Sequence, residues 1–216
     1  MAFHHDLRVL DIDFLSSETF VLKVERPQTE MKSGQCFSVG TKELGINREY
    51  SIYSSQNDDF IEFLIRKVEG GIISTALSQV KVGETIEVGG PYGEFCLDPS
   101  KLDKHYVFIA SGTGIAPFRS FVKTYPELKY QVIHGIRKEN EQYRSQEFNK
   151  SDYIACISKP LDTEKSMRVT SYLAKSDILP DSIFYLCGNR SMIVDSISIL
   201  REKNVPGGNI FTETFF

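Results

Sequence analysis

Short apolar runs alternate with turn residues through the first hundred residues of the chain. These runs predict six strands, at residues 7–14, 19–26, 36–39, 50–54, 60–66 and 85–89. Polar and glycine-containing breaks separate them, and one short helix is predicted at Ser74–Gln79, with Ser74 as its N-cap. Many strands at short spacing, with little helical periodicity, indicate an antiparallel barrel or sandwich.

From about Lys101 onward, strand patterns alternate with helical ones. We predict strands at residues 106–110, 130–135, 153–157, 183–187 and 209–216, and helices at 117–124, 142–150, 169–176 and 191–203. In the last helix, Ile193, Val194, Ile197 and Leu200 recur near the helical spacing and are expected to be buried. This alternation is typical of βαβ crossovers and indicates a parallel sheet with helices on both faces. The predicted domains are therefore residues 1–100 and residues 101–216.

The composition narrows the class of protein. The chain has 216 residues, 41% of them hydrophobic, which allows either one large domain or two modest ones that each bury a core. The formal net charge of −4 argues against a nucleic-acid partner. Because no apolar run is long enough to span a bilayer and the first residues lack the pattern of a leader peptide, we expect a cytoplasmic protein without a membrane partner. We also expect a monomer.

The cysteines give no sign of a metal centre. Cys36, Cys96, Cys156 and Cys187 are dispersed along the chain and form no Cys-x-x-Cys pair. That spacing favours neither a zinc site nor an iron–sulfur cluster, so we expect no bound metal and reduced thiols.

The stretch Val107–Phe118 carries the first candidate chemistry. It reads as an apolar strand, a glycine turn and the start of a helix. Gly112 and Gly114 remove the side chains that would keep a ligand from the backbone, and Pro117 suits the first turn of a helix. Free N–H groups at such a turn suit a pyrophosphate. A single Gly-x-Gly turn can also be purely structural.

Two motifs in the first half are further candidates. The strand around Arg48, Tyr50 and Ser51 offers a phosphate clamp, a flat stacking face and a hydroxyl group. An ordinary edge strand with a surface arginine is the alternative. In the stretch from Gly70 to Thr75, two glycines precede a predicted helix. This pattern is typical either of a second phosphate site or simply of a capped helix.

Together these motifs resemble those of the ferredoxin–NADP reductase family, over nearly the whole chain. The matching stretches are Arg48-Glu49-Tyr50-Ser51, the Gly71–Ser74 loop, the turn Gly112–Ser120, and Cys187-Gly188-Asn189 followed by Met192. The resemblance implies an N-terminal antiparallel six-stranded β-barrel that binds FAD. It further implies that a parallel, Rossmann-like α/β domain binding NADP(H) follows this barrel.

The resemblance also implies roles for individual residues. The implied FAD-binding residues are Arg48, Tyr50, Ser51, Leu64, Arg66, Lys67, Gly71, Ile72, Ile73, Ser74 and Phe215. The implied NADP-binding residues are Gly112, Thr113, Gly114, Pro117, Arg137, Lys159, Arg168, Cys187, Gly188 and Met192. Ser51 would act beside flavin N5, Cys187 and Glu213 would act beside the nicotinamide, and Phe215 would cover a flavin face. Phe216 extends one residue past the plant-type ending, as in the bacterial branch.

Three cations bear on the choice of dinucleotide. Arg137, Lys159 and Arg168 match the positions that bind the 2′-phosphate in bacterial relatives, which favours NADPH over NADH. Solvated surface charge is the alternative interpretation of each one alone.

The resemblance implies hydride transfer from NADPH to the flavin and release of single electrons to a carrier. Because the chain has no cluster motif, that carrier would be a separate ferredoxin or flavodoxin. An alternative activity is that of an NAD(P)H-dependent flavin reductase, or of the reductase component of an oxygenase or cytochrome system. A redox-silent nucleotide sensor is a third hypothesis, which the presence of Arg48, Tyr50, Ser51 and Glu213 argues against.

Overall fold

The chain forms two compact units, each with its own hydrophobic core. The computed structural model describes residues 4–179 and 181–215. The first unit runs up to Cys96 and also contains Arg119–Thr124, and the second unit contains Leu97–Phe118 and the chain from Tyr125 onward. Phe216, the predicted terminal extension, lies outside the described residues.

The first unit is built on a six-stranded antiparallel sheet. Its strands are β1 (His4–Phe14), β2 (Thr19–Glu25), β3 (Cys36–Gly40), β4 (Asn47–Ser51), β5 (Phe60–Arg66) and β6 (Thr85–Tyr92), in the order β4-β3-β6-β1-β2-β5. An isolated bridge between Ile52 and Phe63 links the chain just after β4 to β5. Because β4 and β5 are the two edges of the sheet, this bridge closes it into the expected barrel.

The barrel core follows from alternation along the strands. Phe20, Leu22 and Val24 of β2 point inward, and every second residue of β5 meets them, so that both strands contribute to one apolar cluster. A short helix, α1 (Ile72–Leu77), adds Ile73 and Leu77 to that cluster.

Two boundary predictions in this unit are wrong. Strand β4 lies at Asn47–Ser51 rather than at residues 50–54, because Asn47, Arg48 and Glu49 pair through their backbones with β3 while their side chains stay polar. Helix α1 begins at Ile72 with Gly71 as its N-cap, not Ser74. The Ser74 hydroxyl instead accepts a hydrogen bond from the Val68 N–H at 3.1 Å.

The second unit is a five-stranded parallel sheet with helices. Its elements are β7 (His105–Ser111), α2 (Ala116–Thr124), β8 (Lys129–Ile136), β9 (Tyr153–Ile157), α3 (Val169–Lys175), β10 (Ile183–Asn189), α4 (Arg190–Glu202) and β11 (Ile210–Phe215), with α2 divided between the units at Phe118. The strand order is β11-β10-β7-β8-β9, and every neighbouring pair is parallel.

Helices cover both faces of this sheet, as predicted. Val107 and Ile109 of β7 belong to one apolar cluster with residues of α3 and α4. Phe108, between them, points to the opposite face and stacks on Phe118 at the start of α2, with ring centroids 4.8 Å apart. The ends of the parallel strands are thereby left as the places where loops can form a site.

Two helical predictions in the second unit are wrong. Residues 142–150 form no α-helix; the segment contains only short 3₁₀ turns at Glu139–Glu141 and Ser145–Glu147. Tyr143 and Phe148 are both buried, yet residues five apart lie about 140° apart around a helix and cannot both face one core. Val194 is 52% exposed, while Ser196 is buried on the inner face of α4.

No helix among residues 4–179 and 181–215 is long and apolar enough to cross a membrane.

Candidate functional site

The glycine turn after β7 uses its two glycines for different reasons. A 3₁₀ turn at Gly112–Ile115 connects β7 to α2, and Gly112 has a φ of 54°, which glycine adopts without strain. A Cβ atom added at Gly114 would lie 2.3 Å from the carbonyl oxygen of Cys187, at the end of β10. The turn therefore packs directly against the backbone of the neighbouring strand end.

A second close approach between the ends of β7 and β10 is made by Ser111 and Gly188. Gly188 has a φ of 129°, and a Cβ atom there would lie 2.4 Å from the Ser111 hydroxyl. That hydroxyl accepts a hydrogen bond from the Asn189 N–H at 2.8 Å. Asn189 in turn caps α4, since its side-chain oxygen accepts from the Ser191 N–H at 2.9 Å. Two strand ends and one helix start therefore form a single backbone-lined edge, where ligands of parallel α/β sheets bind.

Cys187 and Glu213 form a thiol–carboxylate pair at this edge. They are opposite each other in the parallel pairing of β10 and β11, and the Cys187 thiol donates to Glu213 Oε2 with an Sγ–O distance of 3.8 Å. Burial, reinforced by the Glu213 charge, raises the pKa of the Cys187 thiol well above its usual value. The thiol is therefore protonated at neutral pH and acts as a donor rather than as a nucleophile.

His134 lies under the glycine turn, and the sequence analysis did not select it. Its Nε2 atom lies 2.8 Å from the Gly112 carbonyl oxygen, and its Nδ1 atom lies 2.7 Å from the Tyr153 hydroxyl. Burial lowers the pKa of His134 to about 4, although the hydrogen bond with Gly112 acts in the opposite direction. The signal that could have found it is a lone histidine inside the apolar strand Val132–Ile136.

The three predicted 2′-phosphate ligands lie at adjoining backbone positions. The Lys159 N–H donates to the Arg137 carbonyl at 2.9 Å, and Met167, which precedes Arg168, donates to the Ile157 carbonyl at 2.8 Å. All three side chains are exposed, and none forms an ion pair with a residue that the structure describes. We call Arg137, Lys159 and Arg168 the cation cluster.

A carboxylate lies next to the cation cluster. Glu141 Oε2 accepts a hydrogen bond from the Arg137 N–H at 2.8 Å. The side chain of Arg137 is therefore not engaged by this contact, which uses only its backbone.

In the first unit, Arg48 and Tyr50 stand two residues apart on β4, so that both side chains leave the same face of the strand. Arg48 is exposed, donates only to the neighbouring Asn47 carbonyl at 3.0 Å, and forms no ion pair within the described part of the chain. Tyr50 packs against the barrel core, and burial raises the pKa of its phenol to about 12. Ser51 follows on the opposite face and is buried.

The loop before α1 has the compact geometry of a turn. The Gly71 N–H donates to the Val68 carbonyl at 2.8 Å, and Gly70 has a φ of 72°. Within the helix, Ile72 is exposed while Ile73 and Ser74 are buried.

The remaining predicted FAD residues lie at the end of β5. Leu64 is buried, Arg66 pairs with Glu18 at 3.0 Å, and the Lys67 N–H donates to the Glu18 carbonyl at 2.6 Å. The Arg66 guanidinium is thus already engaged by a carboxylate.

Three other predicted residues have defined places in the second unit. Pro117 is the second residue of α2 and is buried. Met192 packs against the core of the unit, and its sulfur accepts a hydrogen bond from the Ser196 hydroxyl at 3.6 Å. Phe215 is opposite Asn189 in the pairing of β10 and β11, and is half-buried.

Comparisons with known proteins identify both halves of the chain. The family model of the oxidoreductase FAD-binding domain matches residues 6–96, and that of the oxidoreductase NAD-binding domain matches residues 108–197. The chain belongs to the ferredoxin–NADP reductase family.

Curated relatives of this reductase-family chain include ferredoxin–NADP reductases and electron-transfer components of oxygenases. It is 28% identical to a ferredoxin–NADP reductase of Azotobacter vinelandii, with 89% of this chain and 87% of that protein covered. It is 26% identical to the toluate 1,2-dioxygenase electron transfer component of Pseudomonas putida, with 93% of this chain covered. The chain spans only 64% of the length of that second relative.

Among solved structures, the fold is similar to that of a ferredoxin NADP⁺ reductase from Neisseria gonorrhoeae with bound FAD and NADP. The TM-score is 0.84 at 19% identity, and 99% of each chain is covered. At this identity the likeness supports the two-domain fold and leaves the choice of electron acceptor open.

Proposed function

We propose that this protein is a flavoprotein oxidoreductase that passes electrons from NADPH through FAD to a separate one-electron carrier, a ferredoxin or a flavodoxin. In this proposal residues 1–100 are the FAD-binding domain and residues 101–216 the NADP-binding domain. The observation that carries it is the contact of the Gly114 turn with the Cys187 carbonyl, beside the Cys187–Glu213 pair. At this point a turn that leads into a helix lies beside a thiol–carboxylate pair at one edge of the sheet.

The dinucleotide fits this edge for reasons of space and charge. Thr113 follows Gly112 in a turn whose first N–H groups precede the helix, as in sites for pyrophosphate. Gly188 and Gly114 let the two strand ends pack closely, and the Glu213 carboxylate, which accepts a hydrogen bond from the Cys187 thiol, supplies an acceptor for the nicotinamide end.

The cation cluster supports NADPH over NADH. Arg137, Lys159 and Arg168 are exposed, and their charges are not neutralised by an ion pair with any described residue, so a phosphate dianion would complement them. Lys159 acts as a point charge, while the two arginines offer planar pairs of donors. The carboxylate of Glu141 beside Arg137 reduces this preference by local repulsion without reversing the net positive charge.

The FAD fits the first unit through Arg48 and Tyr50. The exposed Arg48 guanidinium is available for a phosphate, together with the N–H groups of Ile72, Ile73 and Ser74 in the first turn of α1, while Gly71 supplies the turn that leads into it. Tyr50 supplies an aromatic face held against the barrel core, and Ser51 supplies a hydroxyl near flavin N5. Leu64, Arg66 and Lys67 complete the proposed flavin contacts from the end of β5.

Bound FAD supplies the exchange between two-electron hydride chemistry and one-electron release. The residues of this chain hold and orient the reactants and keep polar groups in fixed protonation states. Burial raises the pKa of Tyr50 and of Cys187 further above neutral pH, so both groups stay protonated there.

A second candidate function is that of the reductase component of an oxygenase. The similarity to the toluate 1,2-dioxygenase electron transfer component favours it, although this chain spans only 64% of that protein. Reduction of free flavin is the remaining activity that the same scaffold supports.

Steady-state assays with different acceptors test the proposal. FAD-loaded protein is supplied with NADPH and with ferredoxin, flavodoxin or free riboflavin. The proposal predicts faster turnover with a protein carrier than with riboflavin at equal concentration. A preference for riboflavin by orders of magnitude would contradict it and favour a flavin reductase.

A further inference from the structure

His134 is a polar side chain at a buried position of the sheet, where an apolar residue would be expected. It lies in β8 between Ile133 and Gly135, is fully buried, and belongs to a strand that is otherwise apolar at its inner positions. Both of its ring nitrogens have partners, at 2.8 Å to the Gly112 carbonyl and at 2.7 Å to the Tyr153 hydroxyl. The imidazole thus connects the glycine turn to strand β9.

The partners determine the tautomer of the ring. A carbonyl oxygen can only accept, so the hydrogen bond with Gly112 requires a proton on Nε2. A neutral imidazole then has a bare Nδ1, and the Tyr153 hydroxyl must donate to it. Phe148 stacks on the Tyr153 ring, with centroids 5.5 Å apart, and this stacking holds the donor in place.

The direction of the Gly112 carbonyl determines the direction of the Thr113 N–H group. Because a trans peptide is planar, the Gly112 carbonyl and the Thr113 N–H point in opposite directions. A hydrogen bond that draws the carbonyl toward His134 therefore directs the Thr113 N–H away from His134. Gly112 has a φ of 54° and no Cβ atom, so its own sterics fix this peptide weakly.

We propose that His134 is a positioning residue for the dinucleotide, which holds the Gly112 carbonyl and thereby aims the Thr113 N–H at the pyrophosphate. This inference rests on the proposed function, because it takes the glycine turn as the dinucleotide site. Tyr153 supports it by keeping the proton of the imidazole on Nε2.

Two amide variants test separately the contacts made by the two nitrogens of the imidazole. In His134→Gln the side-chain amide reaches about as far as Nε2 and can still donate to Gly112, whereas in His134→Asn it reaches only about as far as Nδ1. The dissociation constants of NADP⁺ and of adenosine 2′-monophosphate are measured by calorimetry on FAD-loaded protein. The second ligand carries a 2′-phosphate for the cation cluster but has no pyrophosphate.

The expected result is a selective loss. His134→Asn weakens NADP⁺ binding about tenfold, His134→Gln weakens it less than about threefold, and neither changes the affinity for adenosine 2′-monophosphate. Equal NADP⁺ affinity in wild type and His134→Asn would overturn the positioning role. An equal loss of both ligands would also overturn it, since that pattern indicates general damage to the second unit. Wild-type protein that binds neither NADP⁺ nor NAD⁺ would instead overturn the proposed function.

A measurement on the wild-type protein needs no variant and remains decisive if His134→Asn does not fold. Two-bond ¹⁵N–¹H correlation spectra distinguish the imidazole tautomers. The proposal predicts the Nε2–H tautomer at neutral pH. In Tyr153→Phe, Nδ1 of His134 loses the hydroxyl that donates to it, and we expect its ¹⁵N resonance to shift. An Nδ1–H tautomer or a charged ring at neutral pH would overturn the proposal.

Discussion

Arg119 Nη1 lies 2.8 Å from Oε2 of Glu62, and both side chains are almost completely buried in the first unit. The same nitrogen donates to the Tyr53 carbonyl at 2.7 Å, and the guanidinium lies 4.1 Å from the centroid of the Tyr53 ring. The part of α2 that belongs to the first unit is thereby attached to β5 by a buried ion pair.

Glu62→Gln should destabilise the protein strongly, because it removes the carboxylate charge that pairs with the buried Arg119 guanidinium. We expect the free energy of unfolding to fall by about 3 kcal/mol, as measured by chemical denaturation. The control is Glu18→Gln, which breaks the exposed pair with Arg66 and should cost less than about 1 kcal/mol. Equal effects of the two substitutions would show that burial does not distinguish the pairs.

Arg48→Ala should weaken FAD binding, because it removes a charge-assisted contact with a phosphate. We expect a loss of about 2 kcal/mol, or about a thirtyfold higher dissociation constant for FAD, measured by flavin fluorescence. Arg8→Ala, which removes an exposed arginine paired with Glu25 in the same barrel, is the matched control. Unchanged flavin occupancy in Arg48→Ala would mean that this side chain does not bind the cofactor.

Arg168→Ala should change the choice between the two dinucleotides. Loss of one charge from the cation cluster is expected to raise KM for NADPH about tenfold while KM for NADH stays within about twofold. Lys165→Ala is the control, since Lys165 is exposed close by along the chain and pairs with Asp162 at 3.2 Å. If both dinucleotides lose affinity equally, the cation cluster does not recognise the 2′-phosphate.

His134 should make the stability of the protein sensitive to mild acid. Burial lowers the pKa of His134 to about 4, whereas in the unfolded chain it is near 6.5. Below pH 6.5 the unfolded state binds a proton that the folded state does not, so the free energy of unfolding falls as the pH drops toward 4. Between pH 7 and pH 5 the expected loss is about 2 kcal/mol.

Denaturation curves of wild type and His134→Gln at these two pH values isolate that contribution. The groups around the imidazole are the hydroxyl of Tyr153, the carbonyl of Gly112 and the ring of Tyr143, all uncharged at these pH values. His105, whose pKa is also lowered by burial, is present in both proteins and cancels in the comparison. The same pH dependence in both proteins would show that His134 titrates normally.

Much of the fold could be predicted from the sequence because the apolar patterns are local. Strand β9 at Tyr153–Ile157 and strand β5 at Phe60–Arg66 lie where the pattern placed them, since each alternates or runs apolar between clear breaks. The helix predicted at residues 142–150 is wrong because Tyr143 and Phe148 are buried by tertiary packing, which helical periodicity cannot describe.

The candidate site could be predicted only where motifs are contiguous. The sequence shows three glycines after strands, at Gly112, Gly114 and Gly188, but not why each is there. Gly112 adopts a left-handed backbone conformation, whereas Gly114 and Gly188 allow the chain to approach a neighbouring strand end closely. His134 and the Arg119–Glu62 pair could not be found this way. Their partners lie 22 and 57 residues away in the sequence, respectively, and only the folded chain brings them together.

Anaerobic stopped-flow mixing of FAD-loaded protein with NADPH or NADH follows the proposed electron transfer at the flavin itself. We expect NADPH to bleach the absorbance of oxidised flavin about ten times faster than NADH does at equal concentrations below saturation. A protein that holds no FAD, or a flavin that neither dinucleotide reduces, would contradict the proposed electron transfer.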